Sequence, residues 1–337
     1  MVAYLLKIRN MKEHRFRNRV AEGSLTLPVM SAVTFFGWLL SVSLIDVAAW
    51  LTLAIVALMT YAFVECNNQC QLLRIRSRMV SASFLAFVSA IPALHASSWH
   101  WLPAASLLLS CFVAFKGYGR FQPQGWVFHA FLFLGIGSIV FPPMLLLVPF
   151  FLFSCSHQLR ILTGKAFVAA LLGLLLPYWV YGTFCLLTGF DVSRLFSAWH
   201  AALRTSLPLL SSFEPWQLAF LPFLLFLALT SMAHFVRTSY NDKIRTRQYF
   251  YTLFSLQFPL FFLLLWYPDA LSFTLPLFLT NSVPFIAHYF ALARGRFMNV
   301  WFIVCLLLLI ALAVPSYLGL WPLLPSCLSA LPAKFLH

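Results

Sequence analysis

The chain has 337 residues, of which 62% are hydrophobic and only 9% charged, and its mean hydropathy is +0.90. A water-soluble fold could not bury so much apolar surface, and long apolar runs without alternation exclude a β-barrel. A net charge of +14 would suggest nucleic acid in a soluble protein, but here the basic residues lie between apolar runs, where they set membrane orientation. The composition therefore predicts an all-α polytopic transmembrane bundle with lipid contacts and no nucleic-acid partner.

The apolar runs predict about eleven crossings in one transmembrane domain, residues 24–316, between a basic arm at 1–23 and a tail at 317–337. These runs lie near 25–44, 47–64, 79–94, 100–115, 126–153 (counted twice), 166–187, 216–236, 249–266, 270–290 and 297–315. With this count, every lysine and arginine except Arg194, Arg204 and Lys334 falls on one side. The positive-inside rule then predicts that the N-terminus lies on the cytoplasmic side of the membrane and the C-terminus on the outer side.

The run 126–153 predicts a short or re-entrant hairpin. Two full crossings need about 40 residues, whereas a single crossing would place Arg160 on the wrong side. The breakers that would form its tip are Gly135, Gly137, Pro142 and Pro143. Since a proline has no N–H to donate, the tip must be buried in protein or hydrated, and it is the best candidate for a functional centre.

The segment 190–215 predicts an amphipathic helix lying on the outer face of the membrane. Arg194, His200 and Arg204 lie on its polar side. They form a candidate site for a lipid phosphate, because such groups bind cations through charge-assisted hydrogen bonds. A polar face that is only solvated is the alternative.

Polar side chains inside apolar runs are the other candidate site. The predicted buried groups are His129, Asn281 and His288, and an ionisable or amide group within a membrane span marks a site by default. Asn281, Pro284 and His288 share one helical face, and interhelical hydrogen bonding is the alternative role. The seven cysteines are scattered, and no motif for a metal, a cofactor or a catalytic residue is present, so none is predicted.

Several glycine and proline motifs resemble an uncharacterised family of polytopic inner-membrane proteins of the Bacteroidota. They are Ser138-Ile-Val-Phe-Pro142, Arg160, Gly173-Leu-Leu-Leu-Pro177-Tyr178, Leu275-Pro276, Pro284 and His288-Tyr289. The resemblance spans roughly residues 70–310 and implies an envelope location without an established activity. The arrangement is also distantly similar to multi-pass glycosyltransferases that use polyprenyl-phosphate sugars.

These observations favour a non-catalytic subunit or scaffold in envelope biogenesis, acting in secretion or in glycan or lipid handling, with protein partners in the membrane. One alternative is a polyprenyl-phosphate-dependent glycosyltransferase or polymerase. Another is a carrier that uses the broken helices at 126–153 and 270–290.

Overall fold

The computed structural model describes residues 16–43, 45–95, 99–189, 213–293, 295 and 297–321. Within these residues the chain is helical and contains no strand, which confirms the predicted all-α class. The α-helices are α1 Phe16–Glu22, α2 Thr26–Ser41, α3 Val47–Cys70, α4 Met79–Ser89, α5 Leu102–Gly117, α6 Gln124–Val140, α7 Leu147–His157, α8 Gly164–Thr188, α9 Pro215–Thr238, α10 Ile244–Trp266, α11 Leu271–Leu292 and α12 Phe297–Tyr317. Short 3-10 helices lie at Pro92–Leu94, Trp99–Trp101, Pro142–Leu146, Ser239–Asn241 and Pro268–Ala270.

Six of the described helices are long and apolar enough to cross a membrane: α3, α8, α9, α10, α11 and α12. A seventh span is possible if α1 and α2, which meet at 90°, are taken together. The predicted count of about eleven crossings is therefore wrong. Helix α4 has 11 residues, α6 has 17 and α7 has 11. At about 1.5 Å per residue, each of these is too short for a hydrocarbon core of about 30 Å.

The segment 126–153 forms a hairpin of two short helices, α6 and α7, joined by the 3-10 helix Pro142–Leu146. The start of α6 and the residues after α7 lie at the same end of α5. A Cβ on Gly117 would be 3.1 Å from Cβ of Trp126 and 3.6 Å from Cδ1 of Ile161. The rings of Phe131 and Phe151 also lie 5.3 Å apart between the two arms. The chain thus reverses direction at the 3-10 helix.

The tip of this hairpin is packed inside the protein. Gly135, Gly137 and Pro142 are buried, and Pro143 is partly buried. A Cβ on Gly137 would collide with Oγ of Ser106 and would lie 2.7 Å from Sδ of Met144. The tip is therefore held against the first turns of α5, whereas its role as a functional centre stays a prediction.

Helix α11 is the centre of the bundle, since almost every residue from Leu271 to Phe290 is buried. It packs against α4, α5, α9 and α10. Pro276 and Pro284 lie inside it. Because a proline lacks an N–H, each one interrupts the helical hydrogen bonds at a position enclosed by protein.

One end of the bundle, here called the basic end, brings together α1, the loop 71–78, the turn 239–243 and residue 293. The backbone N–H of Arg17 donates to Oδ1 of Asn299 at 3.0 Å, and its guanidinium donates to the carbonyl of Ala293. The hydroxyl of Ser77 donates to the carbonyl of Ala21. Arg17 is thus buried against protein.

Candidate functional site

A buried charged cluster links three distant parts of the chain at the basic end. Nε of Arg74 lies 2.5 Å from Oδ1 of Asp242, and Nε2 of His288 lies 3.1 Å from Oδ2 of the same carboxylate. The side chains of Asp242 and His288 are completely buried, whereas that of Arg74 is 31% exposed. A carboxylate can only accept, so His288 donates from Nε2. The cation and the second donor together compensate a carboxylate that is removed from water.

Aromatic rings surround the imidazole of His288. The rings of Phe250 and Phe235 lie 5.1 Å and 5.4 Å from it, and the ring of His234 lies 6.0 Å away. Nδ1 of His288 has no hydrogen-bond partner among the described residues. The contacts of Asp242 with Arg74 and His288 link the loop 71–78, the turn before α10 and helix α11.

A second polar group lies in the middle of the bundle, between α10 and α11. The amide nitrogen of Asn281 donates to Oε1 of Gln257 at 2.5 Å and to the carbonyl of Leu253 at 2.9 Å. The amide nitrogen of Gln257 donates to Oγ of Ser282 at 2.8 Å. Asn281 and His288 are therefore both buried and both directed to the α10 side, as their shared helical face predicts. The contacts of Asn281 are interhelical hydrogen bonds, which is the alternative role, whereas His288 bonds to Asp242 in the turn before α10.

The remaining predicted site residues are His129 and the three residues of the segment 190–215. His129 was predicted to be buried, but it is exposed on α6, where Nδ1 lies 2.6 Å from the carbonyl of Gly125 in the same helix. This prediction is wrong because Val127, Ala130 and Phe131 form the buried face of α6. Arg194, His200 and Arg204 lie outside the described residues.

Sequence reasoning missed Arg74 and Asp242 as site residues. It counted Arg74 only as an orientation charge, and its partner is 168 positions away along the chain. One signal was available: Asp242 is an acid within a loop that holds Arg237, Lys243 and Arg245. A lone carboxylate among cations is a candidate for an ion pair.

A cleft of about 680 Å³ lies beside the polar core, and six of the described helices line it: α1, α2, α4, α9, α11 and α12. Its wall takes one or more apolar residues from each of α2, α4, α9, α11 and α12, among them Val29, Ala86, Phe223, Phe290 and Leu306. Phe16, Leu25 and Val29 line the cleft and are 48%, 72% and 55% exposed, so it opens to the surface at the elbow between α1 and α2. Arg19, Ser24 and Thr26 supply polar groups at this rim.

At the opposite end of the bundle, α2, α4 and α12 are tied together. The hydroxyl of Tyr317 donates to the carbonyl of Ser89 at 2.7 Å, and a Cβ on Gly37 would lie 2.5 Å from that hydroxyl oxygen. Helices α2 and α12 thus meet at one end and separate around the cleft. The cleft is consequently open at the α1–α2 elbow and closed toward Tyr317.

A buried histidine supports this closed end. Nε2 of His95 donates to the carbonyl of Val88 at 3.1 Å, Nδ1 lies 2.6 Å from Oγ of Ser41, and the ring stacks on Trp38 at 3.9 Å. The carbonyl can only accept, so Nε2 carries the proton and Nδ1 accepts from Ser41. Burial lowers the pKa of His95 to about 4, which keeps the imidazole neutral at neutral pH.

The fold, the buried polar groups and the apolar cleft define a polytopic helical protein of the kind that inserts into a membrane. The described residues include no group of three or more His, Cys, Asp or Glu side chains that could hold a metal ion. Comparisons with known protein families, with curated proteins and with solved structures found no match.

Proposed function

We propose that this protein handles membrane lipids without catalysing a reaction, and that its cleft holds one hydrocarbon chain of a lipid with an anionic head group. The observation that carries the proposal is the cleft of about 680 Å³ between α2, α4, α9, α11 and α12. This volume lies in the range of small-molecule sites, which are mostly apolar with a few polar groups. The proposal is one form of the subunit or scaffold in lipid handling that the sequence favours.

The position of the opening supports a lipid as the occupant. The exposed residues at the rim, Leu25 and Val29, belong to apolar α2, and the adjacent wall belongs to α12, whose buried residues are few. Such surfaces meet lipid tails when the six long helices span a membrane. A hydrocarbon chain can therefore enter from the bilayer without crossing water, whereas a polar solute would have to cross lipid.

The charge of the rim supports an anionic head group. Arg19 lines the cleft where it opens, and Ser24 adds a hydroxyl group beside it, whereas the hydroxyl of Thr26 donates to the carbonyl of Val20. An arginine has five N–H donors, so it can bind a phosphate alongside contacts with protein. The other basic loops that gather at this end would add a weaker attraction to anionic lipids.

A carrier is the second candidate function, and one observation favours it. Helix α11 is interrupted by Pro276 and Pro284 at the centre of the bundle, next to the buried polar groups of Asn281 and Gln257. Broken helices at such positions form the binding sites of many transporters. The glycosyltransferase alternative lacks comparable support, because the described residues that line the cleft include no aspartate or glutamate that could act as a general base.

Filling the cleft tests the proposal. Ala86 lines the cleft on α4, whereas Ala311 is exposed on α12 and does not line it. We expect Ala86→Trp to reduce the amount of lipid that stays bound after mild detergent extraction by about tenfold, because the indole occupies the space of the chain. Native mass spectrometry of the intact protein measures the bound lipid.

The matched control is Ala311→Trp, which should retain as much lipid as the unchanged protein. Both variants add the same volume to an apolar helix, so a general effect of tryptophan would change both. Equal lipid retention by the two variants would contradict the proposal.

A further inference from the structure

A small enclosed cavity lies beside the second break of α11. Its volume is about 20 Å³, and its wall includes Thr280, Asn281 and Pro284. Because Pro284 has no N–H, the carbonyl of Thr280, four residues earlier, loses the partner that a helix normally provides. The break and the cavity therefore coincide.

Two residues of this wall also carry a side-chain oxygen without a hydrogen-bond partner among the described residues. Oγ1 of Thr280 and Oδ1 of Asn281 are buried and make no hydrogen bond to any described residue, and the two residues are only 3% and 2% exposed. The amide nitrogen of Asn281 is already used by Gln257 and Leu253, so its oxygen is the group left over. Buried polar atoms without partners are uncommon in folded proteins, and two at one cavity indicate a bound molecule.

The size and the chemistry of the cavity select the occupant. A cavity volume of about 10–15 Å³ is enough for one water molecule, and a buried water needs two to four polar partners. A metal cation would require about six or more oxygen ligands and would have to leave water without a carboxylate in the wall. We infer that one buried water molecule occupies this cavity, donating to Oδ1 of Asn281 and accepting from the hydroxyl of Thr280.

This water would complete the polar group between the two central helices. Asn281 connects it to Gln257 on α10, and Gln257 connects to Ser282. The side-chain oxygens of Thr280 and Asn281 then both have a partner in a region that bulk water does not reach. The water is consequently a structural ligand of α11.

Two threonine substitutions on the same helix test this inference. Valine has nearly the shape of threonine but has no hydroxyl. With water present, Thr280→Val removes a hydrogen bond to that water, and we expect the Tm in detergent to fall by roughly 2 °C or more. Thr274 is the control, because its hydroxyl is also buried without a described partner but does not line the cavity. Thr274→Val should leave the Tm unchanged or raise it.

The inference is overturned if Thr280→Val leaves the Tm unchanged or raises it, since either result indicates a dry cavity. It is also overturned if the Tm of the unchanged protein rises when sodium chloride replaces choline chloride, while that of Thr280→Val does not, because the ligand would then be a cation. If Thr280→Val does not fold, the comparison of Thr280→Ser with Thr280→Ala tests the inference instead. Serine keeps the hydroxyl and alanine does not, so Thr280→Ser should have the higher Tm if a water is bound.

Discussion

Replacing Arg74 with methionine is expected to destabilise the folded protein by about 3 kcal/mol. The change leaves the carboxylate of Asp242, whose side chain is completely buried, without its cation. Removing one partner of a buried ion pair costs about 3–5 kcal/mol, and the partial exposure of Arg74 places this case at the lower end. Thermal unfolding in detergent measures the loss. Arg76→Met is the control, because Arg76 is an exposed arginine of the same loop.

The double variant Arg74→Met with Asp242→Asn separates the charge from other effects. Asparagine has no charge to compensate and can still accept from Nε2 of His288, so we expect it to recover more than half of the lost stability. If Arg74→Met is as stable as Arg76→Met, the cluster does not hold the basic end together.

The second large effect is expected at Gly173, where α8 crosses α6. A Cβ at this position would collide with the carbonyl oxygen of Phe128 and would lie 3.2 Å from the backbone nitrogen of Leu132. Backbone atoms cannot turn aside as a side chain can, so Gly173→Ala must separate the two helices. We expect a loss of about 2–3 kcal/mol in the free energy of unfolding, or a failure to fold.

Gly182 on the same helix is the matched control, since a Cβ there would have no neighbour within 4 Å among the described residues. Because alanine favours a helix over glycine by about 0.8–1 kcal/mol, Gly182→Ala should stabilise the protein slightly. The two substitutions are identical in chemistry and opposite in expected sign. A loss of stability in both would show that the close approach of α6 and α8 is not the cause.

The sequence predicts the parts of this fold that depend on local chemistry. Asn281, Pro284 and His288 share a helical face, so their common side could be read from a spacing of three and four residues. The hairpin 126–153 could be read from its length, since 28 residues do not provide two crossings. The prediction that His129 is buried was wrong, because an apolar run does not show which face of a helix lies toward a neighbouring helix.

Other features depend on the arrangement of distant segments. Hydropathy marked 79–94 as one span, but α4 ends at Ser89 and Pro92 begins a 3-10 helix. Arg74 and Asp242 meet only because α3 ends and α10 begins at the same end of the bundle. The cleft exists because α2 and α12 touch at Gly37 and Tyr317 and separate elsewhere, and no short sequence pattern records that geometry.

The central claim is that a lipid chain lies in the cleft, and photochemical cross-linking in a bilayer tests it most directly. The probe is an anionic phospholipid with a diazirine in its acyl chain, and peptide mass spectrometry locates the attached residues. We expect attachment to concentrate on wall residues such as Met30 and Leu306 and to fall sharply in Ala86→Trp but not in Ala311→Trp. Attachment spread equally over exposed residues of α8 such as Leu171, and unchanged in Ala86→Trp, would contradict the account.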